Sequence, residues 1–396
     1  MTKKLLPAMI GAALVGSMTS AAADVTIFGQ IDESVVNSDI DAGLVNVGKM
    51  PSAWSSGCSG SSGCSNVAQH DVDDTNLQST NSSIGVKGSE DLGNGLKAIF
   101  MLDFQYDINN ANSSSLSDRD QWVGLAGNFG TVKLGTASTS YKAHGAKIDP
   151  LYRTAAQGRS WGQQSFLHGN AGEEGEGRAD NSIFYTSPNW NGLEVMAHYT
   201  LDSDESSSCA TGATSYSCED DDPYGIGVSY TNGGILVFAD YLANNGDNND
   251  NTSGELEAWK VGGKYTLNNF AVYAQYEDIT DDFGSQYGSN TELDYTLWHL
   301  AGSYTMGNNM LYVGYGSGEI DDLDSAAGVG GSDQTSITVA GTHSLSKRTF
   351  LYAAYVMHEQ DNDNSLNNYI QQGVDTGQTV DDPEASVFAL GVRHKF

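Results

Sequence analysis

The chain has 396 residues, and its 50 acidic residues outnumber 18 basic ones, so the formal net charge is −32. A charge of this sign repels a phosphate backbone, which excludes nucleic acid as a natural partner. Hydrophobic residues make up only 39% of the chain, glycine (47) and tyrosine (20) are abundant, and proline (6) is scarce. This composition fits strands with one apolar face and one face in contact with water, whether in a membrane barrel or in a soluble acidic β-protein. The charge is explained equally by an acidic surface adapted to saline surroundings and by a functional preference for cations.

Residues 1–23 form a predicted secretory signal peptide. Lys3 and Lys4 supply a basic start, residues 5–18 are apolar, and three alanines precede Asp24. An apolar stretch of 14 residues is too short for a membrane-spanning helix, which needs about 20. We therefore predict export, removal of residues 1–23, and a single domain over 24–396. That domain contains no apolar run of spanning length, so it is either secreted or crosses a membrane as a closed β-barrel.

The domain is organised as strands joined alternately by short and long connections. The short connections, such as 189–192 and 231–234, have the glycine and asparagine content of hairpin turns. The long ones, such as 37–79 and 136–180, are polar and acidic. An even number of antiparallel strands with this asymmetry is typical of an outer-membrane barrel, and sixteen strands leave an aqueous lumen. The sixteen predicted strands are 25–36, 81–90, 96–107, 118–127, 131–136, 181–188, 192–201, 223–231, 234–243, 256–266, 269–278, 293–306, 309–318, 334–343, 348–359 and 385–396.

Several strands alternate between apolar and polar residues. In the last strand Phe388, Leu390 and Val392 oppose Arg393 and Lys395. A soluble sandwich would turn the apolar face inward and a barrel would turn it outward to lipid, and the alternation alone does not separate the two. The turn and loop asymmetry favours the barrel, as do aromatic residues near strand ends that suit interfacial girdles. These aromatic residues are Tyr224, Tyr230, Tyr265, Tyr276, Tyr304 and Phe396.

The four cysteines form two local pairs, Cys58 with Cys64 and Cys209 with Cys218, in polar segments rich in serine. In an oxidising compartment such pairs predict two disulfides that staple loops. A metal site is the alternative, but no histidine lies beside either pair and the spacing is not that of a zinc knuckle.

We recognise no motif for catalysis or cofactor binding in the sequence. The eight histidines are scattered without a metal-binding spacing, so we predict a protein that is not an enzyme and needs no cofactor. Acidic clusters offer oxygen ligands for weak Ca²⁺ or Mg²⁺ binding, of the kind that cross-bridges lipopolysaccharide, although a solvated loop explains each cluster more simply. The clearest cluster is Glu219, Asp220, Asp221 and Asp222.

Five stretches make the chain recognisable: 25–32, 82–98, 119–125, 129–135 and 181–188. Together with the C-terminal phenylalanine they resemble the general bacterial porin family of Proteobacteria. The resemblance implies an all-β fold, a 16-stranded antiparallel transmembrane β-barrel with short periplasmic turns, long extracellular loops and a third loop folded into the lumen. It also implies a homotrimer in the Gram-negative outer membrane, in contact with lipopolysaccharide, through which ions and small hydrophilic solutes diffuse passively.

The resemblance places the pore constriction at the third loop, residues 136–180, and departs from the family there. Family members often have a wall arginine where this chain has Ser83, and another where it has Thr136, whereas Arg119 is retained. The residues predicted to line the constriction are Lys142, Lys147, Asp149, Arg153 and Arg159 on the loop and Arg119, Asp32, Asp103 and Asp107 on the wall.

Two interpretations of this constriction follow. In one, a basic loop faces acidic wall residues and the usual transverse field is partly inverted. In the other, which we prefer, the basic groups of the loop pair with its own acids, and the net charge makes the pore favour cations. The alternative function is a substrate-selective channel in which the loop lysines and arginines bind an anion such as phosphate or a dicarboxylate.

Overall fold

The strands observed in this protein form one sheet that closes on itself. The computed structural model describes residues 24–44, 71–109, 116–161, 163–165, 177–201, 223–248, 252–281, 293–321, 331–363 and 380–396. The predicted signal peptide, the four cysteines and the cluster at 219–222 lie outside these residues. The elements are β1 (Asp24–Ile40), β2 (Val72–Ser79), β3 (Ser83–Gly93), β4 (Leu96–Gln105), β5 (Ser117–Gly127), β6 (Gly130–Ser138), α1 (Ser140–Ala146), a 3₁₀ turn (Gly158–Trp161), β7 (Arg178–Thr186), β8 (Leu193–Thr200), β9 (Tyr224–Asn232), β10 (Ile235–Asn248), β11 (Thr252–Leu267), β12 (Phe270–Asp281), β13 (Leu293–Met306), β14 (Asn309–Ile320), β15 (Ser332–Ser344), β16 (Thr349–Asn362) and β17 (Glu384–Lys395).

The barrel has sixteen antiparallel strands, as predicted, although the described residues form seventeen strand segments. β1 pairs with β17 on one side, which closes the barrel, and with both β2 and β3 on the other. β2 and β3 are therefore two halves of one barrel strand, interrupted where Asn81 adopts a left-handed conformation (φ 52°). At the break the Ser82 hydroxyl accepts the Asp32 backbone N–H at 3.0 Å and donates to the Asp32 carbonyl at 3.2 Å, replacing ladder bonds.

The two faces of the sheet confirm the barrel and exclude the sandwich. Along β17 the apolar side chains Phe388, Leu390 and Val392 are 47%, 54% and 40% exposed on the outer face, while Arg393 on the inner face is buried. The same division holds in β11, where Val261 is exposed and Lys260 is buried. Apolar residues therefore face outward to lipid and polar residues face the lumen, the reverse of a soluble β-protein.

Aromatic side chains form bands near both ends of the outer face. At the end with long connections, Trp259 stacks at a tilt on Tyr276 with ring centroids 5.3 Å apart. At the end with short turns, Phe270 and Tyr304 lie 4.5 Å apart, and Tyr265 stands six positions along β11 from Trp259. Six residues of strand span about 20 Å, which is close to the height of the apolar band of an outer-membrane barrel.

The strands reach further into the long connections than apolar alternation predicts. β1 continues to Ile40 rather than ending at residue 36, and β2 begins at Val72, inside the predicted first loop. These extensions are polar, because they lie beyond the apolar band and are held by ladder pairing such as Ile40 with Ala385 and with Val72. The part of the chain that the structure describes contains no helix of sufficient length and apolarity to cross a membrane.

The third connection folds into the barrel, where its apolar side chains form a core with the inner wall. Ile148, Leu151 and Trp161 are fully buried among inward-facing residues of β10 to β17, including Tyr312 and Tyr352. Burying side chains of this size is worth roughly 1.5–3 kcal/mol each. The connection is thereby fixed against one side of the wall, which narrows the lumen.

Candidate pore constriction

The helix α1 is short, and contacts with the wall hold it. It begins after Thr139, whose hydroxyl accepts the backbone N–H of the third helical residue, as N-cap residues do. Seven residues are too few for a helix that is stable alone. The Tyr141 hydroxyl donates to Glu277 at 2.6 Å, and His144 Nδ1 lies 2.9 Å from the Asp240 carboxylate, so β10 and β12 anchor α1 from two sides.

The segment after the 3₁₀ turn is bound to the wall by hydrogen bonds. Gln163 donates to the Ser336 carbonyl at 3.3 Å and to the Thr338 hydroxyl at 3.2 Å. Gly316 on β14 provides the space, because a Cβ there would lie 2.6 Å from the Gln163 Cα. The wall is therefore shaped to accept the backbone of this segment.

Arg153 links the third connection to the wall at the break between β2 and β3. Its guanidinium donates to the Asn81 carbonyl at 2.6 Å and to the Ser83 hydroxyl at 3.0 Å, at the break between β2 and β3. Its backbone is left-handed (φ 67°) and its N–H donates to the Gln157 side chain at 2.9 Å. Burial lowers the pKa of Arg153 to about 9, with the Arg119 charge as the next cause, so the guanidinium is still charged at neutral pH.

Three ion pairs join basic and acidic residues of the wall itself. Arg119 Nε lies 3.0 Å from Asp103, at a register shift between β4 and β5, and Arg393 Nε lies 3.2 Å from Asp32 across the closing strands. The Tyr352 hydroxyl also donates to Asp32, at 2.9 Å. The third pair joins Arg178 Nε and Asp120 at 2.7 Å.

Asp149 is buried inside the third connection and accepts two backbone N–H groups. Its oxygens lie 2.8 Å from the Leu151 nitrogen and 3.1 Å from the Gly158 nitrogen. Burial raises the pKa of Asp149 to about 6, and these backbone donors offset part of the rise. Its carboxylate therefore organises the loop backbone, and the charge of Arg159 also acts on it.

A family model described as Gram-negative porin matches residues 8–363, most of the chain. The chain belongs to this family. An outer membrane porin protein of Bordetella pertussis is 25% identical over 424 aligned positions that span both chains completely. The major outer membrane protein P.IB of Neisseria lactamica is 27% identical over 320 positions, covering 80% of this chain and 83% of that one.

Solved structures agree with this porin in fold. An anion-selective porin from Comamonas acidovorans superposes with a TM-score of 0.65 at 21% identity, covering 95% of this chain and all of that one. The trimer form of OmpT from Vibrio cholerae superposes with a TM-score of 0.61 at 15% identity, with the same coverage. At these sequence identities the similarity shows a shared fold and nothing more.

Family membership and the barrel together place the chain in the outer membrane of a Gram-negative bacterium. The named relatives are channels rather than enzymes.

The porin brings together most of the residues predicted from its sequence to line the constriction, and leaves two apart. Lys147 is exposed at the end of α1, and Asp107 is exposed beyond β4, where it accepts the Asn109 backbone N–H at 2.8 Å. The residues that the structure places inside the lumen or the loop core are Lys142, Asp149, Arg153, Arg159, Arg119, Asp32 and Asp103.

Six charged residues of the lumen did not appear among the predicted site residues of the porin. Five lie within predicted strands, so strict application of the two-residue alternation could have found most of them, and the sixth, Arg178, lies in the predicted third loop. The six are Asp120, Arg178, Lys260, Asp240, Glu277 and Arg393.

The described charge pairs of the porin differ from the first interpretation of its sequence, whereas the second, pairing of the loop with its own acids, stays a prediction. The wall acids Asp32 and Asp103 are matched by wall arginines, not by the loop. Arg153 binds the wall rather than an acid of its own loop. The loop acids at 173, 174 and 176 lie outside the described residues.

Four basic groups at the constriction of the porin lack a carboxylate within 4.0 Å among the described residues: Lys142, Arg153, Arg159 and Lys260. Lys142 and Arg159 are 8% and 7% exposed. Burial, and after it the charges of Arg159, Arg178 and Arg119, hold the pKa of Lys142 well below its usual value. Among the described residues, the narrow part of the lumen thus has more basic groups than carboxylates that pair with them, inside a strongly acidic chain.

Proposed function

We propose that the protein is a passive diffusion channel for ions and small hydrophilic solutes. The observation that supports this is the third connection, which is packed against the inner wall and narrows the lumen while charged side chains line it. Such an arrangement sorts solutes by size and charge and needs no catalytic group. Catalysis is accordingly not part of the proposal.

Its ion preference, we propose, has two opposing sources. The net charge of −32 attracts cations to the mouths of the pore and repels anions. The four unpaired basic groups favour anions at the constriction, which supports the alternative function of an anion-selective channel. The solved neighbour from Comamonas acidovorans is named anion-selective, and that name is consistent with the second source.

The test is reconstitution of the full-length mature protein into planar bilayers. We expect stepwise conductance in KCl, and absence of conductance in protein that migrates as a folded, heat-modifiable species would refute a channel. The reversal potential in a KCl gradient then gives the ratio of cation to anion permeability.

We further propose a homotrimer in contact with lipopolysaccharide. Support comes from the trimer form of the OmpT neighbour, and from acidic residues outside the apolar band that could share divalent cations with lipid phosphates. Chemical cross-linking of the native protein in outer-membrane fragments is expected to produce a trimer band, and a band no larger than the monomer would contradict this.

A further inference from the structure

A small cavity between the third connection and β11 and β12 has the chemistry of an oxyanion site. It is partly open, and the space between its atoms, including the part open to solvent, is about 270 Å³. Three basic side chains from separate elements line it: Lys142 on α1, Arg159 in the 3₁₀ turn and Lys260 on β11. Basic groups that converge on one cavity repel each other. Asp240 and Glu277 near Lys260 and Asp120 near Lys142 offset part of this repulsion, and a bound anion would offset more of it.

The basic groups of this cavity have N–H donors available for a ligand. The Arg159 Nε is buried and has no hydrogen-bond partner among the described residues. The Lys260 ammonium lies over the Tyr141 ring, 3.8 Å from its centroid, and donates to the Tyr141 carbonyl, which uses one of its three N–H groups. Two acids act on the Lys260 ammonium, Asp240 and Glu277. Asp240 lies 2.9 Å from His144 Nδ1, and Glu277 accepts from the Tyr141 hydroxyl at 2.6 Å and the Ser165 hydroxyl at 2.7 Å.

Two amide oxygens at the same cavity lack donors. Gln164 donates to the Gly145 carbonyl and Gln275 donates to the Gln164 carbonyl, which fixes the orientation of both amides. Their Oε1 atoms are buried and have no partner among the described residues. A ligand that satisfies the cavity must therefore present negative oxygens to the basic groups and O–H donors to these two acceptors.

The backbone of α1 leaves room for such a ligand at Gly145. A Cβ at this position would point into the cavity, 3.1 Å from the Lys260 Nζ and 3.9 Å from the Gln275 Oε1. Any side chain at residue 145 would thus stand between the basic group and the acceptor.

We propose that this cavity, lined by Lys142, Arg159, Lys260, Gln164 and Gln275, is a binding subsite for protonated inorganic phosphate within the constriction. Phosphate still carries O–H groups at neutral pH and can satisfy both the basic groups and the amide oxygens. Sulfate has the same tetrahedral shape but no O–H at neutral pH, so the two buried amide oxygens would remain unsatisfied, which weakens its binding. The subsite rests on the proposed channel function and adds a substrate class to it.

The experiment measures KCl current through the reconstituted full-length mature protein at pH 7 while potassium phosphate or potassium sulfate is added. We expect phosphate to reduce the current with a saturating dose dependence, and sulfate to require at least tenfold higher concentration. Arg159→Gln and Lys260→Gln should each raise the half-blocking phosphate concentration at least tenfold, and Gly145→Ala should abolish the block by filling the cavity.

The matched control is Lys264→Gln, which removes the same charge from the same strand and inward face four residues away, outside the cavity. We expect it to leave the half-blocking phosphate concentration within twofold of that of the unmodified protein.

Two outcomes would overturn the subsite in favour of a diffuse positive field: equal block by phosphate and sulfate, or an effect of Lys264→Gln as large as that of Lys260→Gln. KCl conductance that persists without phosphate block refutes only the subsite, whereas absence of KCl conductance refutes the channel. Heat-modifiable gel mobility verifies that each variant is folded.

Discussion

At the scale of single residues, Arg153 shows how a charge absent from the wall is supplied by the loop. The resemblance implied a wall arginine at the position of Ser83, and in this chain the guanidinium of Arg153 binds the Ser83 hydroxyl from the third connection. Its second acceptor is the Asn81 carbonyl, beside the interruption of the barrel strand. Positive charge is therefore kept at this point of the lumen, but its position depends on the loop.

Replacement of Arg153 tests this link. Arg153→Ala removes two hydrogen bonds from a charged donor, each worth about 1.5–3 kcal/mol, and we expect higher single-channel conductance and a lower anion preference. Arg153→Gly should have the same electrical effect with a more stable loop, because glycine tolerates the left-handed backbone that costs other residues about 1–2 kcal/mol.

Conductance, reversal potential and the temperature at which folded gel mobility is lost would check these expectations. Arg348→Ala, an exposed arginine in the turn before β16, is the control with the same loss of charge. An unchanged conductance in Arg153→Ala would mean that the loop keeps its position without this link.

At the scale of elements, the third connection and β14 fit each other at Gly316. The loop segment 163–165 crosses β14 where no side chain intervenes, and hydrogen bonds to β12 and β15 hold it there. The apolar core around Trp161 lies beside this contact. The position of the loop is thus determined by the absence of a side chain on the wall as much as by attraction.

Gly316→Ala should displace this segment. The new Cβ would lie 2.6 Å from the Gln163 Cα, closer than Cβ contacts occur, so the segment must move away from the wall into the remaining lumen. We expect a folded barrel with altered, noisier single-channel conductance and faster protease cleavage within the third connection.

The control is Gly302→Ala, in which the new Cβ meets only one atom, at 3.9 Å. We expect its conductance to equal that of the unmodified protein. Identical currents from both variants would show that the contact at Gly316 does not position the loop.

At the scale of the whole molecule, the charge of the chain and the charge of the constriction have opposite signs. The net charge of −32 is spread over the protein, whereas the unpaired basic groups are concentrated in the lumen. How far each acts depends on screening, because the Debye length falls from about 30 Å at 0.01 M to about 3 Å at 1 M salt.

The ion preference should consequently change with ionic strength. At about 0.01 M salt the acidic surface reaches the pore and we expect a reversal potential that indicates cation preference. At about 1 M salt only groups at the constriction act on a passing ion, and the preference should move towards anions. The double variant Lys142→Gln with Arg159→Gln should lose the high-salt anion preference and keep the low-salt behaviour. A ratio of cation to anion permeability that does not change with salt concentration would contradict the proposal that the acidic surface and the basic constriction act in opposite directions.

The sequence by itself determined the barrel and its sixteen strands. These features are repeated along the chain as two-residue alternation, short turns and long connections, so each strand adds independent evidence. The location of the constriction and the wall residues Arg119, Asp32 and Asp103 came instead from the resemblance to the porin family. The sequence missed polar strand ends, since ladder pairing rather than apolar burial extends strands beyond the membrane.

Only the tertiary structure decided which face meets lipid and which charges pair. Alternation is the same for a sandwich and a barrel, and the exposed Phe388 and Leu390 settle it. The partners Arg119 with Asp103, Arg393 with Asp32 and Arg153 with Ser83 depend on register and on the path of the loop across the lumen. Contacts between residues 70 and 361 positions apart have no local signal, because infolding of the loop makes the first and closure of the barrel makes the second.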